Sequence, residues 1–141
     1  MHNSNTSLTM LCAQADTVVV DSEFTLQNVD ASGGTPTQLF VYGSDQRIYL
    51  QSTLNDPKPL VIEFAQPPQS GQPLQLNYLD PQDSSQQWTY NMNNPTFVNV
   101  GAHGGNWAIN DVGGNGAVGD SIAIYPADPS NTAFSWAFAI P

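Results

Sequence analysis

The chain has 141 residues, 12 acidic side chains against 2 basic ones (Arg47 and Lys58), and a formal charge of -10, with 40% hydrophobic and 10% charged residues. That charge repels phosphate backbones and anionic headgroups, which argues against nucleic acid and anionic membranes as partners. The hydrophobic share sets the chain apart from disordered acidic tails, and the length suits a single domain over residues 1–141 with a real core.

The N-terminal stretch "MHNSNTSLTMLCAQAD" has no basic start, no apolar run of signal length and no lipidation box. No segment reaches the ~20 apolar residues of a membrane span. The expectation is a soluble protein, cytoplasmic or released without a classical signal peptide, and without membrane insertion. The single Cys12 excludes an intrachain disulfide and a Cys-rich zinc site, and is read as a small apolar residue on a strand.

From there the chain reads as strand throughout. Short runs rich in Val, Ile, Phe, Tyr and Thr follow one another: "TVVVD", "FTLQNV", "QLFVY", "RIYLQS", "PLVIEF", "LQLNYL", "QWTY", "TFVNV", "WAIND", "SIAIYP" and "WAFAI". The longer gaps, "AQPPQSGQP" and "VGGNGAVGD", carry Pro and Gly that break helices. Strands at this spacing indicate a barrel or sandwich and raise the question of internal repetition.

A shift of 48 residues places Tyr42 on Tyr90, Glu63 on Asp111, Gly71 on Gly119, Leu74 on Ile122, Leu76 on Ile124, Asp80-Pro81 on Asp128-Pro129 and Trp88 on Trp136. The N-terminal copy continues the register with Leu26 under Leu74 and Ile122. With a shortened loop after residue 22, Asp21 falls opposite Asp111. Three copies of about four strands each then fill the chain, at roughly 7–42, 43–90 and 91–141.

Threefold repetition with "QLF" at Gln38, "QQW" at Gln86 and "FSW" at Phe134 resembles the Gln-x-Trp signature of the ricin B-type β-trefoil lectins. The resemblance implies an all-β fold of twelve strands in three pseudo-threefold repeats, with Phe40, Trp88, Phe134 and Trp136 in the shared core. It also implies a sugar-binding protein without catalysis or cofactor, whose partners are glycans or glycoconjugates of galactose or N-acetylgalactosamine type. A homodimer is left open.

In that family each lobe builds one shallow pocket from an acidic residue, a loop Gly, an aromatic ring and a polar group. A sugar stacks its apolar face on the ring and donates its hydroxyls to the carboxylate. Carried over, the third lobe offers Asp111, Gly114, Tyr125 and Asn131, although Ala123 and Ala133 stand where the family has polar residues. The second lobe offers Glu63, Gln75 and Asn77, with Tyr78 beside the ring position and pointing to the other side of the strand unless the strand bends. The first offers Asp21 and Gln27 but has Val29 at the ring position.

Trp107 is read either as an extension of the third pocket or as a cover for the barrel end, and His103 as an exposed loop residue. His103 has only His2 for company, so no metal site is expected. "DPQD" and "DPSN" read as tight turns. Hydrolysis finds no nucleophile elbow and no facing carboxylate pair. The alternative to a lectin is a β-trefoil that binds protein through its loops, as protease inhibitors do.

Overall fold

The computed structural model describes residues 2–3, 11–28, 35–101, 106–114, 116–128 and 130–137. The strands are β1 (His2–Asn3), β2 (Leu11–Ala15), β3 (Phe24–Asn28), β4 (Phe40–Tyr42), β5 (Ile48–Leu50), β6 (Leu60–Glu63), β7 (Gln72–Pro73), β8 (Gln75–Tyr78), β9 (Trp88–Asn91), β10 (Thr96–Asn99), β11 (Trp107–Asp111), β12 (Ile122–Pro126) and β13 (Trp136–Ala137). They form three sheets, ordered β13-β1-β2-β3, β4-β5-β6-β8 and β7-β12-β11-β10-β9. Each sheet joins the last strand of one repeat to the first three of the next. That alternation closes a β-trefoil, and β7 is the stretch of the β8 strand that has crossed over to pair with β12.

Around the pseudo-threefold axis the lobes meet through three antiparallel contacts of the same kind: Glu23 with Gln75, Pro73 with Ala123, and Ser121 with Thr25. Three residues with left-handed backbone, Asp21 (φ 69), Gly71 (φ 82) and Gly119 (φ 91), stand just before them. Their N–H groups donate to Leu76, Ile124 and Leu26 at 2.8, 2.9 and 2.7 Å. The equivalent core sets are therefore Phe24, Leu74 and Ile122, and Leu26, Leu76 and Ile124, all buried.

This corrects the register expected for the first lobe. Leu26 matches Leu76 rather than Leu74, and Asp21 matches the turn glycines rather than Asp111. A turn position needing positive φ outweighs the match of one carboxylate to another, because most side chains are strained there and Gly is not. The run "TVVVD" is also a loop and not a strand: residues 16–21 form bends and turns, with Val18 and Val19 exposed.

Trp88 and Trp136 are fully buried, and their indole N–H groups donate to Ile62 O at 3.2 Å and Ile109 O at 3.1 Å. Tyr42 and Tyr90 donate their hydroxyls to Trp88 O and Trp136 O at 2.6 and 2.7 Å. Phe134 is buried, and Phe40 packs against the core with its ring centroid 5.7 Å from that of Phe24. Buried Gln38 and Gln86 each send Nε2 to a strand-end carbonyl, Asn28 O and Tyr78 O, both at 2.9 Å. In lobe two Gln86 and Trp88 thus tie the fourth strand to the third and second, while in lobe three Trp136 alone makes the tie to the second and in lobe one Gln38 alone reaches the third, each by a satisfied polar contact of the kind a core requires.

Candidate functional site

The third lobe places Asp111 at the end of β11, Tyr125 near the end of β12, and Asn131 at the cap of the 3-10 turn Thr132–Phe134. All three line one open pocket of about 300 Å³, together with Gly113, Gly114 and Asp128. Antiparallel pairing of β11 with β12 sets Asp111 against Ile122 and Ala108 against Tyr125, so the two strand ends flank the opening. Gly113 (φ 92) and Gly114 (φ 70) adopt backbone that the tight turn after Asp111 needs and few other residues accept.

The carboxylate of Asp111 is enclosed, with a relative exposure of 0%. Its Oδ2 accepts the Gly116 N–H at 3.0 Å, and its carbonyl accepts the Gly114 N–H at 3.0 Å. It therefore forms the underside of the glycine turn, while the ring of Tyr125 is half-buried and Asn131 and Asp128 are exposed at the rim. Asn131 Oδ1 caps the 3-10 turn by accepting the Ala133 N–H at 2.9 Å, so what it offers a ligand is its NH2 end. Asp128 Oδ1 accepts from the Ser130 backbone at 3.1 Å and its hydroxyl at 2.7 Å. The turn that starts at Asp128 also borders the pocket, through Asp128 and Asn131, and its place three residues after Tyr125 is the signal for it.

The second lobe assembles its predicted residues differently. Glu63 pairs with Gln75 on the neighbouring strand, and Asn110 pairs with Ala123 in the same way, so the counterpart of Glu63 is Asn110. The counterpart of Asp111 is Phe64, whose ring packs edge-on against Trp88 at 5.9 Å. One residue of register exchanges the two faces of a strand. Glu63 is buried and receives Gln75 Nε2 at 3.4 Å, Gln86 Nε2 at 3.4 Å and Ser85 Oγ at 3.5 Å. Burial pushes its pKa up, hydrogen bonds from Asn77, Gln75 and Gln86 oppose the shift, and the charge of Asp83 adds to it. Asn77 stands at the ring position, and its Oδ1 accepts the Tyr78 N–H at 2.8 Å.

Tyr78 is exposed and its ring lies under Lys58, with Nζ 5.6 Å from the centroid, in a cavity separate from Glu63. In the first lobe Asp21 is exposed on its turn, and Gln27 donates to Thr25 Oγ1 at 3.0 Å. Val29, His103 and the side chain of Cys12 lie outside the described residues. Trp107 opens β11, half-buried, and packs on the core cluster.

No protein-family model matches the chain, and no curated protein matches it in sequence. Among solved structures the chain is similar to the mdaA-1 domain, solved in solution, at 13% identity over 99% of this chain and 86% of that one, with a TM-score of 0.70. It is also similar to the β-trefoil lectin of the Vibrio vulnificus hemolysin/cytolysin, solved with N-acetyl-D-lactosamine bound, at 12% identity over 94% of this chain and 87% of that one, with a TM-score of 0.66. At such identities the likeness establishes the β-trefoil fold.

Proposed function

We propose that this chain is a single-domain, non-enzymatic carbohydrate-binding β-trefoil of the ricin B-like kind, and that the third-lobe pocket takes a galactose- or N-acetylgalactosamine-type sugar. The observation that carries the reading is the convergence of Asp111, Gly114, Tyr125 and Asn131 on one open pocket of about 300 Å³. The size suits a monosaccharide, and a half-buried ring beside polar groups is the combination that a sugar's two faces demand. The lectin of the Vibrio vulnificus hemolysin/cytolysin, which shares the fold, was solved with a glycan bound, and this supports the same ligand class.

The sugar's apolar face stacks on Tyr125. Its hydroxyls donate to the rim carboxylate of Asp128 and accept from Asn131, while Asp111 holds the glycine turn through Gly116 N–H and reaches a sugar hydroxyl only when that turn shifts. The second lobe, with Glu63, Gln75, Asn77 and Tyr78, and the first, with Asp21 and Gln27, are weaker sites on this reading, because their polar groups are spent on one another or lack a ring.

A glycan array followed by calorimetry on the best glycan, with monosaccharide competition, tests the proposal. Tyr125→Ala is expected to cut affinity at least tenfold, about 1.4 kcal/mol, at unchanged fold. Absence of any glycan binding overturns the reading, and release of free sugar from the bound glycan overturns the non-enzymatic part, since Asp111 and Asp128 share the pocket.

A further inference from the structure

A second cavity, of about 400 Å³, lies between the loop of residues 16–20 and the loop that precedes β6. Val18, Val19, Val20 and Leu60 give it an apolar floor, and Tyr78 forms one wall. Val18 and Val19 are 38% and 56% exposed, and consecutive valines in water carry a hydrophobic cost that covering them would remove. The Thr53 hydroxyl on the lining is committed to the backbone, donating to Leu50 O and accepting from Leu60 N–H. The charge open to a ligand comes from Lys58 and Asp56 on the rim.

Lys58 has a particular place in this molecule. The chain has only 2 basic residues, and Arg47 is buried and paired with Asp45 at 3.5 Å. The exposed basic side chain of a protein with formal charge -10 thus stands at the mouth of a surface cavity floored by valines. Its ammonium hangs 5.6 Å from the centroid of Tyr78, a position held by cation–π attraction, and it makes no ion pair among the described residues. One ammonium without an Arg fork or a backbone nest matches a single carboxylate better than a phosphate.

We propose that this cavity binds a small molecule that joins a carboxylate to an apolar group, with the carboxylate on Lys58 Nζ and the apolar group on Val18, Val19 and Tyr78. The chemistry is shared by a short fatty acid and by an N-acylated acidic sugar. The site is independent of the third-lobe pocket and uses none of its residues.

Titration of the isotope-labelled protein with octanoate, below its micelle concentration, and with N-acetylneuraminic acid tests the proposal by amide shifts in NMR. Expected are saturable shifts confined to residues 17–20, 53–60 and 78, and the tighter of the two anions identifies the source. Lys58→Met should weaken the anion about three- to fivefold, the size of a screened ion pair, and leave 1-octanol binding unchanged. Val19→Ser should weaken both. The proposal is overturned if octylammonium binds as tightly as octanoate, which would make Asp56 the deciding group, or if Lys58→Met leaves octanoate unaffected. It is equally overturned if neither anion shifts these amides, or if they shift with protein concentration alone, which would make a second copy of the chain the occupant.

Discussion

In lobe two the turn at Asp80 and Asp83, and in lobe three the turn at Asp128 and Asn131, make the same hydrogen bonds. Asp80 Oδ1 accepts the Gln82 N–H at 2.9 Å where Asp128 Oδ1 accepts the Ser130 N–H at 3.1 Å, and Asp83 and Asn131 each cap a 3-10 turn at 2.9 Å. The side chains placed on that shared backbone differ. Lobe two sets Glu63, Gln75, Asn77, Ser85 and Gln86 where lobe three sets Asn110, Ala123, Tyr125, Ala133 and Phe134. Glu63 is thereby enclosed by amides and a hydroxyl, whereas in lobe three small side chains leave room and a ring lines it. A trefoil lobe is filled or emptied by a handful of residues without change to its turns, since the backbone bonds that shape it ask nothing of those side chains.

The comparison says first that the two lobes are alike in their cores. Trp88→Ala and Trp136→Ala should each destabilise by about 3–5 kcal/mol, seen in denaturant unfolding, and a large gap between the two would break the equivalence. On the proposed function the two lobes differ in binding. Tyr125→Ala should lower glycan affinity at least tenfold, about 1.4 kcal/mol, while Asn77→Ala leaves it unchanged in calorimetry. Asp111 sharpens this further: Asp111→Ala should lower affinity as Tyr125→Ala does by releasing the Gly116 N–H, whereas Asp111→Asn, which still offers an acceptor oxygen, keeps binding unless the sugar itself touches the carboxylate.

A third test uses the turns at the axis. Gly71→Ala and Gly119→Ala both force a side chain into left-handed backbone (φ 82 and 91), at a cost of about 1–2 kcal/mol. Only at Gly71 would the new Cβ also press on the Tyr125 hydroxyl, at 3.0 Å, while at Gly119 it meets nothing within 4 Å. Thermal melts should therefore shift similarly, and glycan affinity should fall for Gly71→Ala alone.

The smallest expected effect concerns Glu63. Burial raises its pKa above 4.5 in the folded state, so the native protein holds this proton more tightly than the unfolded chain does. The stability this contributes is fully present below about pH 4.5 and lost as pH rises through the folded value. Near neutrality the charged Glu63 is a net cost, and Glu63→Gln should raise the melting temperature there, with the gain fading on acidification. A gain independent of pH would mean that packing, not charge, is at issue. Glycan affinity in lobe three should not change.

Much of the fold was legible in the chain. The recurrence of Trp88 at Trp136, of Tyr42 at Tyr90 and of Leu74 at Ile122 specified three similar lobes, because core positions tolerate few side chains and repeat when the backbone repeats. Asp111, Gly114, Tyr125 and Asn131 do line one pocket, but their grouping came from the family resemblance and not from local pairing, since the hairpin sets Asp111 against Ile122 and Tyr125 against Ala108. Tertiary structure alone decided the register of the first lobe, where the contact of Glu23 with Gln75 aligns Phe24 with Leu74, and the loop carrying Val18 to Val20, whose composition reads as strand. It alone decided that Glu63 stands with Asn110 and that Phe64 takes the place of Asp111. Hairpin loops of unequal length shift a strand by one residue without disturbing the apolar pattern that periodicity reads, and that single step determines whether a carboxylate faces a network, a pocket or the core.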